Sequence, residues 1–248
     1  MRLTVVGAGP AYSDDPGSIG ACYLVQSGDR ALALDLGHGA FAGLAARFPP
    51  ERLETVAISH LHPDHCIDLV PLRHWLRYHV RPAARLRVDA PAELAARLDA
   101  LHAAPGFTAA ALDVVTLDPS IRRVGPFRLE ARRVTHTEDS YAFRVDVGDA
   151  GPGLVYSGDV GAVADLQPLV RAGDTLLVEV SFGAGPIAPG ASHLDGPTVG
   201  TLAAETRPRR VLLTHLLPGR DAEAAVRSVR DRWGGSVELV RPGFEVDV

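Results

Sequence analysis

The stretch Ser59-His60-Leu61-His62-Pro63-Asp64-His65 follows directly on the apolar run Thr55-Val56-Ala57-Ile58. A buried strand that ends in such a turn fans its polar side chains out at a sheet edge, where a cation can hold them together. Single loop histidines are usually just solvated. Four ligand-type residues within six positions are a different case, because packed polar groups of like type gain little without a partner. Imidazole and carboxylate suit Zn²⁺ and, less tightly, Mn²⁺ or Fe²⁺. The spacing pairs His60 with His62 and Asp64 with His65, and Pro63 stiffens the turn between them. The helical H-E-x-x-H motif of zinc proteases does not fit, since it needs two histidines four apart with Glu between.

Working outward, short apolar runs alternate with polar turns. Residues 3–7, 21–26 and 31–36 predict strands, and their short connections favour antiparallel pairing. Gly37-His38-Gly39 turns the chain into a helix over about 40–48, with Asp35 expected to cap that turn and His38 to line the cleft. Gly7-x-Gly9 leads into Pro10 and a polar loop rather than a helix, so no dinucleotide fingerprint is present. A helix over 68–79 carries the stripe Leu69, Leu72, Trp75 and Leu76, with Arg73 and Arg77 on another face. With Tyr78 and His79, these arginines are placed either to meet an anionic substrate or to lie in solvent. His74, His79 and His102 lack motif context and are expected at the surface or in packing.

Further strands are predicted at 86–89, 112–117, 127–135, 142–147, 154–156, 176–179 and 211–215, and further helices near 91–102, 162–171, 198–206 and 222–233. Several strands deliver a polar residue at their end. His136 follows one, Asp159 follows Leu154-Val155-Tyr156 closely, and Glu179 and His215 close two more. Together with the opening motif this is the donor inventory of a two-metal site: several nitrogen donors and one carboxylate able to bridge, with positions left for a hydroxide and a substrate oxygen.

Composition narrows the function classes. At 248 residues one domain spanning 1–248 is expected, with 46% hydrophobic and 22% charged residues sufficing for a large core. No apolar stretch reaches the roughly 20 residues of a membrane helix, and the first residues read as a strand rather than a signal peptide, so a cytoplasmic location is expected. All 25 basic residues are Arg. The absence of Lys excludes a Schiff-base lysine and a P-loop lysine. Cys22 and Cys66 are too few for a disulfide framework and are expected to be small buried hydrophobes. A net charge of −5 speaks against an extended nucleic-acid surface.

The H-x-H-x-D-H signature, a later strand-end His136, Gly158-Asp159 after an apolar strand and the final Thr214-His215 resemble the metallo-β-lactamase superfamily. That resemblance covers Leu3 to about Pro218. It implies an α/β fold of α+β type, the four-layer αββα sandwich, and two divalent ions: one on His60, His62 and His136, the other on Asp64, His65 and His215, with Asp159 bridging. Glu179, Ser192-His193-Leu194 and Thr214-His215 are similar to the ribonuclease Z-like branch, which implies that His193 assists phosphodiester cleavage. The segment 59–69 with Trp75 and Arg77-Tyr78-His79 resembles cyclic-nucleotide phosphodiesterases of that branch.

Two departures stand out. Only residues 137–158 separate His136 from Asp159, 22 in all, which leaves no room for the protruding arm of transfer-RNA-processing members. Val160 stands where the family usually has Thr after Gly-Asp. The expectation is therefore a metal-dependent hydrolase of a small anionic phosphodiester or ester. Asp64 and His193 would be its catalytic groups, Glu179 the support of His193, and the Gly/Pro-rich loop 183–196 a candidate lid. The same fold also hosts hydrolases of other esters, thioesters, lactones, lactams and sulfates, and in principle a non-catalytic metal-binding module. A homodimer is a further expectation, carried by no particular residue.

Overall fold

Fourteen strands form two seven-stranded sheets in the computed structural model, which describes residues 1–148 and 151–248. In the first sheet, β1 (Arg2–Gly7), β2 (Cys22–Ser27) and β3 (Arg30–Leu34) pair antiparallel, and β4 (Val56–Ala57), β5 (Leu86–Ala90) and β6 (Leu112–Thr116) continue in parallel. The second begins with β7 (Ile121–Val124), β8 (Phe127–Arg133) and β9 (Tyr141–Asp146) as an antiparallel meander. It changes at β10 (Leu154–Tyr156) to parallel pairing with β11 (Thr175–Glu179), β12 (Arg210–Thr214) and β13 (Ser236–Leu239). The last strand, β14 (Glu245–Asp247), returns to the edge of the first sheet beside β1.

Strand alternation sorts the apolar residues into three cores, which makes the fold a four-layer αββα sandwich. Leu3, Tyr23, Leu32 and Leu34 point inward and pack between the sheets against Phe127, Phe143, Tyr156 and Leu212. Their neighbours Val6, Leu24, Ala33 and Val56 point outward, where the helices α1 (Ala40–Ala45), α2 (Pro63–Cys66), α3 (Leu69–His74) and α4 (Leu94–Leu101) contribute Leu44, Cys66, Leu69, Leu72 and Leu94. On the opposite outer face Val155, Val178, Val211 and Leu213 meet Val199, Leu202 and Val229 from α5 (Gly196–Thr206) and α6 (Ala222–Arg230). These last two helices start as their sequences dictate: Asp195 accepts from Thr198 N and Asp221 from Ala224 N. Among the described residues no helix is long and apolar enough to cross a membrane.

Three sequence expectations are corrected. The helix predicted over 162–171 is only a 3₁₀ turn at Val163–Asp165, because Pro168 removes an amide from its middle and Asp165 is drawn away to accept from Thr135 N. The helix expected over 68–79 is present, but only α3 is α-helical and from Trp75 to His79 it widens into a π-turn. Strands β7, β13 and β14 were not foreseen. Each lies at or near a sheet edge with outward polar residues, so none shows an apolar run.

Two backbone hydrogen bonds bring the short helix α2 close against the sheet. Leu36 N donates to His65 O and Ala21 N to Asp64 O, at 2.8 Å each. Gly37 makes that approach possible, since a Cβ there would lie 1.8 Å from Asp64 O. Gly37→Ala is expected to push α2 outward at a cost of about 1–3 kcal/mol. Urea denaturation of the zinc-free variant checks this, and an unchanged midpoint would refute the close-packing argument.

Candidate metal centre

Seven side chains from four strand ends and α2 meet at one rim of the sandwich. His60 follows β4, His62 caps α2, and Asp64 and His65 sit inside it. His136 follows β8, Asp159 follows β10 and His215 follows β12. The donor atoms of His60, His62, His136 and Asp159 all lie within 4.8 Å of one another, and so do those of Asp64, His65, Asp159 and His215. Asp159 is common to both groups. Its Oδ2 stands 3.7 Å from His60 Nε2, 3.7 Å from His136 Nε2 and 3.5 Å from His215 Nε2, and its Oδ1 stands 3.3 Å from His65 Nε2. The seven residues expected to gather do gather.

Whether a cation fits can be judged from what the donors lack. Asp64 Oδ1 and His65 Nε2 are buried and make no hydrogen bond among the described residues. His62 Nδ1 faces His60 Nε2 at 3.0 Å and His136 Nε2 at 3.3 Å. Three ring nitrogens converging on one point, beside orphaned buried donors and acceptors, is a costly arrangement unless a cation is shared among them. The opposite ring nitrogens are already committed, since His136 Nδ1 donates to Ser192 O at 2.8 Å and His65 Nδ1 to Asp35 Oδ2 at 2.7 Å. The residues fit divalent metal.

Electrostatics divides the cluster. Burial, reinforced by neighbouring His65, holds His60 well below the ordinary histidine value, and burial with His136 lowers His62. On the other side burial is outweighed. It would raise Asp64, but the hydrogen bond with His215 and the close approach of the His65 ring hold that carboxyl far below its usual range. His65 and His215 are raised, against burial, chiefly by Asp159, and Asp159 is in turn pulled well down by His215 and His65. One half is thus neutral nitrogen and the other carries the carboxylates.

Asp35 is a correction. Expected to cap the turn into α1, it instead lies fully buried and accepts from Ser59 N (2.6 Å), Ser59 Oγ (2.7 Å), Tyr156 OH (2.6 Å) and His65 Nδ1. The start of α1 is met by Asp68, whose Oδ2 accepts from Phe41 N. Asp35 too follows an apolar strand, but that position alone does not say which ring nitrogen it meets. Both Asp35 and His215 adopt left-handed backbone, each with φ 58°, which costs on the order of 1 kcal/mol or more and is held by these contacts.

His193 lies just outside the seven, at the mouth. Its Nδ1 donates to Glu179 Oε1 at 2.8 Å, and that partnership, against burial, raises its pKa. Its ring centroid is 4.8 Å from that of His136. Glu179, on which sequence placed the support of His193, is fully buried and also accepts from Val160 N at 3.0 Å. Ser181, which sequence did not single out, sits between Glu179 and His215.

Other candidates stand apart from the donor groups. Arg73 is buried, donates from Nε to Phe107 O and stacks its guanidinium 4.2 Å from the Phe107 ring centroid, so it is a packing residue rather than a substrate contact. His74 bonds Val70 O, His79 stacks on Trp75 and His102 on Phe107, as expected for packing. His38 lies against Gly20 and belongs to neither group. Cys66 is buried with its thiol pushed up to about 12, chiefly by burial, and donates to His62 O.

Known proteins share this arrangement of elements. Protein ML1173 of Mycobacterium leprae is 32% identical over 258 residues, covering 100% of this chain and 89% of that one. The probable metallo-hydrolase YhfI of Bacillus subtilis is 27% identical over 254 residues, 98% of each chain. The crystal structure of YhfI superposes with a TM-score of 0.87 over 99% of both chains, at 24% identity. That of the short form of human tRNase Z gives 0.76 at 19% identity, over 100% of this chain and 99% of its own. A beta-lactamase superfamily domain matches residues 34–216, the span that holds the whole cluster from Asp35 to His215, and the chain belongs to that family as a metallo-hydrolase.

Proposed function

We propose that the protein is a dinuclear metal-dependent phosphodiesterase acting on a small anionic diester, with nucleoside cyclic phosphates the first substrate class to test. The observation that carries this reading is His193, anchored through Nδ1 to Glu179 beside two donor groups that share Asp159. His60, His62 and His136 would hold one ion, Asp64, His65 and His215 the other, and Asp159 both. The nitrogen-rich set favours zinc, with manganese or iron as alternatives. Ions so held lower the pKa of a water toward neutrality and offset charge on phosphoryl oxygens.

The chain's own groups do the rest. Asp64 stays ionised and its Oδ1 is uncommitted among the described residues, so it orients an attacking water by accepting one of its protons. Glu179 fixes the His193 ring and raises its pKa, which keeps a proton available on Nε2 for the leaving oxygen. Beside His62 opens a cavity of about 400 Å³ lined by Leu61, Pro91, Arg97, Arg133 and Asp139, large enough for one ester substituent. Its guanidiniums are already matched, Arg133 with Asp139 and Arg97 with Glu93. That pairing suits an uncharged substituent better than a second phosphate. The described residues of 137–158 are used up by β9, β10 and their connections, and no arm for transfer RNA projects from them.

Hydrolysis of bis-p-nitrophenyl phosphate and of 3′,5′-cyclic AMP by zinc- or manganese-loaded protein tests the reading. Chelation is expected to abolish both activities, and added metal to restore them. His193→Ala is expected to lower kcat by about 10²-fold while metal content stays constant. Full activity in that variant would remove His193 from the mechanism. Silence on diesters with turnover of a thioester or lactone would move the substrate class and keep the centre.

A further inference from the structure

Ser181 is fully buried two residues beyond β11, and the proton of its hydroxyl has a single destination. Glu179 Oε2 accepts from both Ser181 N at 3.1 Å and Ser181 Oγ at 2.5 Å. A carboxylate has no proton to give, so the one hydroxyl proton goes to Glu179 and Oγ is left as an acceptor. His215 Nδ1 lies 3.0 Å from that oxygen. Nδ1 must therefore carry a proton, which leaves Nε2 as the one ring nitrogen that can be offered to a cation. His215 Nε2 is the atom that faces Asp64 Oδ2 at 3.1 Å and Asp159 Oδ2 at 3.5 Å.

Resting on the dinuclear reading above, we infer that Ser181 is a positioning residue that fixes the tautomer and ring orientation of His215, so that one carboxylate, Glu179, aligns a cluster histidine and His193 together. Glu179 Oε1 holds His193 Nδ1 directly, while Oε2 holds His215 through the Ser181 hydroxyl. The same Oε1 accepts from Val160 N, the peptide next to Asp159. Three parts of the centre are thus indexed to one buried side chain. Removing the hydroxyl cuts the branch to His215 and a longer 3.3 Å contact of Oγ with His193 Nδ1, and leaves the carboxylate's own bonds to His193 and Val160 intact.

Partners of this kind are worth about 10- to 100-fold in metal affinity. Ser181→Ala is expected to weaken one of two zinc ions by that factor in equilibrium dialysis, leaving the other at wild-type affinity. Ser181→Thr keeps a hydroxyl on the same carbon and is expected to stay within about threefold of wild type. Nitrogen-15 spectra of the histidine rings supply a readout that a purely structural role would not move: His215 should carry its proton on Nδ1 in wild type and the Thr variant, and lose that preference in the Ala variant. Wild type and Ser181→Ala both retaining two ions with equal affinity would overturn this inference and leave the phosphodiesterase reading standing. Wild type retaining no zinc would overturn both.

Discussion

Asp159→Asn is expected to lower kcat/KM on bis-p-nitrophenyl phosphate by about 10³-fold, equivalent to ~4 kcal/mol of barrier, and to cost the protein at least one of its ions. The substitution keeps volume and planarity, so it tests charge rather than packing. Asp159 is nearly fully buried, and four ring nitrogens lie within 3.7 Å of its oxygens. An amide offers one acceptor where the carboxylate offers two, and its NH₂ would point at unprotonated nitrogens or at a cation. Both the His65 side and the side of His60, His136 and His215 then lose their anionic partner, and one of the two also loses its acceptor. Zinc per chain by emission spectroscopy, measured alongside kcat/KM, separates loss of metal from loss of chemistry. Wild-type activity with two ions bound would remove Asp159 from the shared position. The effect should exceed that of His193→Ala, because His193 touches neither the pairing of the ions nor their retention.

The sequence made the site more legible than the frame that carries it. His60, His62, Asp64 and His65 are close in the chain and abut an apolar run, so one glance relates them. His136, Asp159 and His215 each follow an apolar strand, and in a sandwich whose strand ends share a rim that alone brings them near. The alternation that separates the three cores was equally readable in β1, β2 and β3, where each residue type tells its face. Asp35 and Ser181 were missed for a different reason. Their role depends on which ring nitrogen lies opposite, a three-dimensional relation that no spacing encodes. Edge strands β7 and β13 escaped because their outward residues face water, and pairing there is decided by the neighbouring strand rather than by their own hydrophobicity. The predicted helix over 162–171 failed at Pro168, a local signal that the apolar pattern of Leu166, Leu169 and Val170 had masked.

Asp35→Asn is expected to destabilise the zinc-free protein by about 3–5 kcal/mol, the scale for removing one partner of a buried charge pair. Asn tolerates left-handed backbone well, so φ 58° at this position survives the change and the effect reports on the side chain. Four donors converge on the carboxylate: Ser59 N on Oδ1, and Ser59 Oγ, Tyr156 OH and His65 Nδ1 on Oδ2. If the amide oxygen takes the Oδ2 place, its NH₂ confronts Ser59 N–H. If it takes the Oδ1 place, the NH₂ confronts His65, and the ring must move its proton to Nε2, the atom facing Asp64 and Asp159. Hydroxyls can rotate to accept, but the Ser59 amide cannot, so neither orientation satisfies every group. The first outcome costs stability, and the second also disables His65 as a nitrogen donor, so zinc affinity should fall by about 10- to 100-fold. Urea denaturation without metal and zinc titration of the folded variant measure the two losses separately. A variant matching wild type in both would mean that the Asp35 contacts follow from the fold without supporting it.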